Sequence, residues 1–94
     1  MTDDDAVRVP IESEIDLHAF QPRDIAAVVE AFLEAAVEAG ISEVRLVHGR
    51  GIGVQRRTVH ARLAAHPAVV AFHDDPRAHL GATIARLRRP DRSR

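Results

Sequence analysis

The chain has 94 residues, enough for one domain with a modest core, and its formal net charge of −1 argues against a uniformly basic nucleic-acid binder. The absence of cysteine excludes disulfides, thiolate catalysis and thiolate metal sites. No apolar run of about 18 residues occurs and the acidic start does not resemble a signal peptide, so we expect a cytoplasmic protein with no membrane partner.

The terminal segments differ in composition from the rest of the chain. Residues 1–9 have the composition of a disordered acidic segment and residues 89–94 that of a basic tail, which leaves 10–88 as the domain. Apolar residues alternate over 11–18 and predict a half-buried strand, whereas 22–40 has the periodicity of an amphipathic helix. The next predicted elements are a strand at 42–48, a helix at 53–65, and strands at 68–73 and 82–88.

This order of elements predicts an α/β fold, a two-layer βαβαββ sandwich with a four-stranded mixed sheet. The first three strands should run parallel with right-handed crossovers, and the short loop before the last strand makes that strand antiparallel. Both helices should cover one sheet face, leaving an open face that tolerates Glu12 and Glu14. The inner helix faces should consist of Ile25, Val28, Val29, Phe32, Leu33 and Ala36, followed by Val59 and Leu63.

Polar groups collect where the first two predicted strands end. Asp16 and His18 stand two residues apart, on one face of the first strand, and His48 and Arg50 belong to "VHGRGIG" between the second strand and the second helix. Ligands bind at the carboxyl ends of parallel strands, where helix amides point outward. If the two strands are neighbours, this edge gathers a carboxylate, two imidazoles, an arginine and free amides.

These groups suit a phosphate ligand. An arginine and glycine-loop amides can bind phosphoryl oxygens, and a histidine near its reference pKa of about 6.5 can move a proton at neutral pH. Asp16 either orients His18 or accepts a proton itself, and His48 either takes part or positions the loop. The candidate catalytic residues are Asp16, His18, His48 and Arg50. The candidate nucleic-acid-binding residues are Gly49, Gly51 and Gly53, with Arg56, Arg57 and His60 on a basic face of the second helix.

Other interpretations compete with these. "GRGIG" lacks the glycine spacing of a dinucleotide fingerprint and the lysine of a P-loop, so it is equally typical of a plain strand–helix turn. The basic helix face is equally typical of a solvated surface. A metal site would have Asp16, His18 and His48 to draw on, but their spacing does not indicate one, and we predict no metal ligands.

Charge is distributed unevenly along the chain. Residues 1–48 hold eleven Asp and Glu against three Arg, a balance of −8, whereas residues 49–94 hold ten Arg against three acids, a balance of +7. Such asymmetry indicates a polyanionic partner.

Three segments together resemble the small MutS-related (Smr) domain family. They are "IDLHAF", "VHGRGIGVQRRTVHARLAAHPAVVAF" and "GATIARL", which are similar to that family's LDLHG-like motif, HGxG motif and closing strand. The resemblance covers roughly residues 13–88. The chain departs from the first motif at Ala19, where the family has glycine, and from the last loop, which has Gly81 alone.

The resemblance implies a fold similar to the C-terminal domain of translation initiation factor 3. It also implies endonuclease activity, which is nicking or cleavage of branched DNA in some members and cleavage of mRNA at stalled or collided ribosomes in others. The expected partner is therefore DNA or RNA, with the ribosome as a further candidate. The residues carried over are Asp16, His18, His48, Gly49, Arg50 and Gly51. On RNA a 2′-hydroxyl can serve as nucleophile without a metal, whereas DNA cleavage would call for Mg²⁺.

Two alternatives stay open. One is a non-catalytic module that binds a nucleic-acid junction or a ribosomal surface, which Ala19 and the small size favour. The other, ranked last, is a small-molecule phosphohydrolase, because the sequence indicates no base-sized apolar pocket. Phe20, Phe32 and Phe72 are the only aromatic residues, so recognition should depend on backbone and shape rather than stacking. The oligomeric state is open.

Overall fold

The structure, a computed structural model, describes residues 13–50 and 53–88. The segments predicted at 1–9 and 89–94 therefore lie outside the described residues, as does Glu12. Within the described part of the chain, no helix is long and apolar enough to cross a membrane.

The described elements follow the predicted order. The first strand ends two residues early because the Asp16 carboxylate accepts a hydrogen bond from the His18 amide and starts a 3-10 turn, Leu17–Ala19. The first helix likewise begins as a 3-10 turn, Pro22–Asp24. The main elements are β1 (Ser13–Asp16), α1 (Ile25–Glu38), β2 (Glu43–Val47), α2 (Val54–Ala65), β3 (Val69–Asp74) and β4 (Ala82–Leu87).

The strands form one mixed sheet in the order β1-β2-β4-β3. β1 pairs parallel with β2, and β4 pairs antiparallel with both β2 and β3, so the three parallel strands and the antiparallel last strand are confirmed. The sequence left the strand order open. The observed strand order makes β1 and β2 neighbours, so their carboxyl ends, Asp16 and Val47, lie side by side.

Both helices pack on one face of the sheet, as predicted. Val28 and Phe32 lie at the margin of the interior, half-buried rather than enclosed. Full burial of a valine, leucine or isoleucine side chain contributes about 1.5–3 kcal/mol, so the apolar core between the helices and the sheet is the main stabilising element. The enclosed residues are Ile25, Val29, Leu33 and Ala36 from α1, Val59 and Leu63 from α2, and Leu17, Val44, Leu46, Ala85 and Leu87 from the sheet side.

The opposite face of the sheet carries an ion cluster centred on Arg45. Arg45 Nε donates to Asp75 Oδ2 at 2.7 Å, and its Nη1 lies 3.3 Å from Glu14 Oε2. The Arg45 hydrogen bond, with one from the Arg77 amide, lowers the pKa of the buried Asp75 carboxyl. The Asp75 amide also donates to Ala82 O, and the Asp75 carbonyl accepts from the Ala78 amide, each at 3.0 Å. Asp75 therefore closes the turn that contains Gly81 and leads into β4.

Candidate functional site

Asp16 and His18 form a hydrogen-bonded pair at the end of β1. Asp16 Oδ1 accepts from the His18 amide and from His18 Nδ1, each at 2.9 Å. The predicted reason for their contact, a shared strand face, is wrong, because His18 lies in the 3-10 turn that Asp16 caps. These two hydrogen bonds lower the pKa of the Asp16 carboxyl. Since Nδ1 donates to Asp16, Nε2 is the ring nitrogen of His18 that has no hydrogen-bond partner among residues 13–50 and 53–88.

Ala19 occupies an exposed position in the same turn. Two non-glycine residues in the described part of the chain have positive φ angles, His79 and Leu80, and Ala19 is not one of them. The backbone at this position therefore does not need glycine, and the turn forms with an alanine methyl group pointing to solvent.

The two predicted motifs meet at Gly49. Its φ is +82°, and a Cβ built there would stand 2.7 Å from His18 Nε2. The imidazole of His18 therefore rests directly on the Gly49 backbone. Glycine is required here twice, for the left-handed backbone conformation and for the close approach of the ring.

Gly81, which we did not select as a site residue, holds the glycine loop in place. Its carbonyl accepts hydrogen bonds from the amides of His48, at 3.0 Å, and Gly49, at 2.9 Å. A Cβ on Gly81 would meet Ala78 O at 2.9 Å and Arg50 Cγ at 3.3 Å, so the stem of Arg50 packs over it. The prediction that the Gly49 amide is free for phosphate is therefore wrong. Gly81 is the first residue of "GATIARL", so this motif could have indicated its role from the sequence.

The start of α2 lies next to this contact. Gly53, with φ of +87°, is the N-cap residue, and no side chain of the described residues caps the helix. The amides of the first turn, including those of Val54 and Gln55, consequently have no intrahelical acceptor and suit an anion. Arg57 extends over this turn, with Nη1 3.5 Å from the position of a Cβ on Gly53, and Arg50 is exposed nearby. Gly51 lies outside the described residues.

The predicted basic face of α2 is divided. Arg56 donates to both carboxylate oxygens of Asp74, at 2.9 and 2.7 Å, which lowers the pKa of Asp74. His60 is half-buried and packs edge-on against Phe72, with ring centroids 5.0 Å apart. Of the three residues, Arg57 alone is exposed. A shared helix side was correctly inferred, but part of that side packs against β3, which the helical periodicity could not reveal.

His48 is buried in a hydrogen-bonded chain of side chains. Its Nδ1 donates to Gly49 O at 3.0 Å, so its Nε2 accepts from the Thr83 hydroxyl at 2.9 Å. His60 Nε2 donates to the same Thr83 oxygen at 2.9 Å. Burial lowers the pKa of both imidazoles, and the neighbouring Arg56 lowers them further. His48 is thus neutral with both nitrogens occupied. Of the two roles left open for it, this geometry favours positioning the loop.

Replacing Thr83 with valine tests the hydrogen bonds that link His48, Thr83 and His60. The change keeps the shape but leaves two imidazole nitrogens without their partner, so we expect the free energy of unfolding to fall by about 1–3 kcal/mol. Urea denaturation measures the loss. Thr58→Val is the matched control, because Thr58 Oγ1 donates to Val54 O on the helix surface and its loss should change stability by less than about 0.5 kcal/mol. Equal losses of unfolding free energy in both variants would contradict a stabilising role for the two hydrogen bonds to Thr83.

Among the described residues, one group has metal-ligand geometry: Glu30, Glu34 and His66, whose ligand atoms lie within 4.8 Å of one another. His66 Nδ1 accepts from the Ala68 amide at 3.1 Å, so Nε2 carries the proton and faces Glu34 Oε2 at 3.5 Å. A metal would need a lone pair on Nε2. The group is therefore better described as a histidine–carboxylate contact between the helices than as a metal site.

A cavity of about 370 Å³ opens beside the contact between His18 and Gly49. Its walls are mainly apolar. The expectation that no base-sized apolar pocket exists is therefore wrong, because the cavity arises between the 3-10 turn before α1 and the first turn of α2, which are distant in sequence. The lining residues include His18, Pro22, His48, Gly49, Arg50, Gly53, Val54 and Gln55.

Comparison with known proteins identifies a family that matches this chain. The family model described as the Smr domain matches residues 15–88. Endonuclease MutS2 of Brevibacillus brevis is 35% identical over 80 residues, which are 83% of this chain and 10% of that protein. Endonuclease MutS2 of Clostridium tetani is 36% identical over 80 residues, with the same coverage. The chain spans about a tenth of the length of these curated relatives.

Solved structures agree with this assignment. The Smr domain of Thermus thermophilus MutS2 matches with a TM-score of 0.76 and 32% sequence identity, covering 81% of this chain and 98% of that chain. YdaL, a stand-alone small MutS-related protein from Escherichia coli, matches with a TM-score of 0.73, covering 92% of this chain and 73% of that chain. Its 23% identity makes this second match evidence for the fold alone.

Proposed function

Because the chain belongs to the Smr domain family, we propose that it binds nucleic acid and cleaves it as an endonuclease. The relatives from Brevibacillus brevis and Clostridium tetani carry the name endonuclease. The observation that carries the proposal is the packing of the His18 ring on Gly49, since it sets a proton acceptor in the same cavity as Arg50 and the start of α2.

His18 acts as the general base in this proposal. Its Nε2 is free to take a proton, and side-chain exposure of 63% leaves the ring open to a substrate. Asp16 remains ionised, because hydrogen bonds from His18 lower its pKa, and it fixes the ring orientation and tautomer. The Asp–His arrangement therefore supports orientation of His18 rather than proton transfer by Asp16 itself.

Arg50 and the first turn of α2 bind the reacting phosphate. The Arg50 stem packs over Gly81, and the exposed Arg50 lines the same cavity as His18. Arginine and backbone amides stabilise the charge that builds up on phosphoryl oxygens as the bond order changes. Arg57 adds a second exposed cation over the helix start.

On RNA, the reaction needs only these groups. His18 takes the proton of a 2′-hydroxyl, the 2′-oxygen bonds to phosphorus, and the bond to the 5′-oxygen of the next nucleotide breaks. Water protonates the departing oxygen. The products are a 2′,3′-cyclic phosphate and a 5′-hydroxyl end. On DNA, water would replace the 2′-hydroxyl as nucleophile.

Mg²⁺ would have the Asp16 carboxylate as a ligand at this edge. It prefers oxygen ligands, usually one or two carboxylates together with substrate phosphates. Asp16 is the carboxylate beside His18, and its Oδ1 already accepts two hydrogen bonds. Asp16 Oδ2 thus stays available to Mg²⁺ on the hydrolytic DNA route, whereas the metal-free RNA route needs only His18 and the phosphate-binding groups.

The non-catalytic binding module has less support than the sequence suggested. Ala19 favoured it, on the ground that the family has glycine at this position. Ala19 is exposed and has no positive φ, so it neither distorts the turn nor displaces the Asp16–His18 pair.

A cleavage assay with product-end analysis tests the proposed function. We expect the wild-type protein to cut single-stranded RNA in the presence of EDTA and to leave cyclic phosphate and 5′-hydroxyl ends. Cleavage of branched DNA that requires added Mg²⁺ would replace the RNA route with the hydrolytic one. A protein that cuts neither of these, nor ribosome-bound mRNA, is not an endonuclease.

A further inference from the structure

The cavity between the two motifs has walls that suit one nucleoside. Its volume of about 370 Å³ falls within the range of small-ligand pockets. Pro22 and Val54 contribute apolar surface, and the imidazole of His18 contributes a flat wall. Val54 is 46% exposed although it begins a helix that packs on the core. A flat apolar group in the cavity would remove this surface from water.

One wall of the cavity also offers a polar group of the right kind. Gln55 is half-buried, and its side-chain amide makes no hydrogen bond to another residue in the described part of the chain. A primary amide has two donor hydrogens and an acceptor oxygen, the pattern that pairs with the edge of a base. An apolar chain such as a lipid would leave this amide unused.

Two arginines lie in or next to the lining of the cavity. Arg50 is one of the lining residues and Arg57 extends over Gly53, and neither forms a salt bridge with a described residue. A nucleotide within a strand has a phosphate on each side of its nucleoside. The cations, the helix amides and the apolar walls therefore match a nucleotide held by both flanking phosphates.

We propose that this cavity takes one unstacked nucleotide of a single-stranded segment, next to the phosphate that is cleaved. The proposal rests on the proposed function and narrows its substrate class. Bases in an intact duplex are stacked and paired, so they enter a side cavity only after unpairing. The substrate is thus an unpaired strand, loop or junction of nucleic acid. This proposal departs from the expectation that recognition depends on backbone and shape rather than stacking, because it adds contact with one base.

Equilibrium binding tests the cavity without cleavage. The wild-type protein in EDTA is suitable with 2′-O-methyl strands, because a blocked 2′-hydroxyl prevents the proposed cleavage and leaves every residue described for the cavity in place. We expect a fluorescent single strand, and a duplex with one unpaired nucleotide, to bind about tenfold more tightly than the paired duplex at the same salt concentration. Adding Gln55→Ala should weaken single-strand binding about fivefold and leave duplex binding unchanged. Gln21→Ala, an exposed glutamine outside the described lining, is the control and should change neither.

Two binding results overturn the proposal. One is equal affinity for the single strand and the paired duplex. The other is competition by a free 5′-mononucleotide as effective as competition by the strand, which would make the cavity a small-molecule site.

Substrates with one missing base give a second readout with the wild-type protein. We expect an abasic nucleotide at one position beside the cut bond to slow cleavage about tenfold, and abasic nucleotides elsewhere to have little effect. Uniform cleavage at every position would contradict the cavity proposal and leave the endonuclease proposal standing. If no substrate is cut at all, the endonuclease proposal fails and the binding measurements still decide the cavity.

Discussion

Replacing His18 with alanine should lower the rate of strand cleavage by about 10²–10⁴-fold, whereas binding to nucleic acid should weaken by about tenfold at most. The factor is the usual contribution of a positioned general base. Binding persists because Arg50, Arg57 and the first-turn amides of α2 remain in place. Single-turnover cleavage and anisotropy titration on the same substrate separate the two effects.

Two further variants make this result specific. Asp16→Asn keeps the shape of the side chain but removes the carboxylate that sets the ring tautomer of His18, so we expect a smaller loss of cleavage than in His18→Ala. His73→Ala removes another exposed histidine, on β3, and should leave the rate unchanged. If His18→Ala cleaves at the wild-type rate, the base is a different group and the proposed mechanism is wrong.

Replacing Gly49 with alanine should reduce both stability and cleavage. The new residue would hold a left-handed backbone conformation, which costs about 1–2 kcal/mol. Its Cβ would also stand 2.7 Å from His18 Nε2, so the imidazole must move. Because a displacement of about 1 Å can reduce a rate about 10²-fold, we expect cleavage per folded molecule to fall by about that factor.

Gly40→Ala is the matched control for this variant. Gly40 has a φ of +78°, almost that of Gly49, but a Cβ there would meet no atom of the described part of the chain within 4 Å. It precedes β2, at the opposite end of that strand from Gly49. We expect a similar loss in the free energy of unfolding, measured with urea, and an unchanged cleavage rate. If both variants cleave normally, the contact between His18 and Gly49 is not needed for the reaction.

Many features of the fold could be predicted from the sequence because they depend on local periodicity. The spacing of Ile25, Val29 and Leu33 determines which side of α1 is apolar, and those residues are buried. The short loop before β4 leaves room only for an antiparallel return, and β4 is antiparallel. Element ends were less accurate, because the strand 11–18 was shortened by a single hydrogen bond from the Asp16 side chain.

The roles of the basic residues on α2 could not be predicted. Helical spacing places Arg56, Arg57 and His60 on the same side of the helix, but it does not say what that side faces. Asp74 and Thr83, contributed by β3 and β4, engage Arg56 and His60 and leave Arg57 exposed. Those partners lie 18 and 23 residues away along the chain, beyond the reach of any local pattern.

The sequence by itself determined the order and type of the elements, the inner faces of both helices and the two motifs that belong to one family, since each is encoded in short-range residue spacing. Only the tertiary structure decided that β4 lies between β2 and β3, that Gly81 supports the loop, that His48 is buried and neutral, and that a cavity lies between the motifs. The physical reason is that burial, hydrogen-bond partners and cavities depend on segments that meet only when the chain has folded.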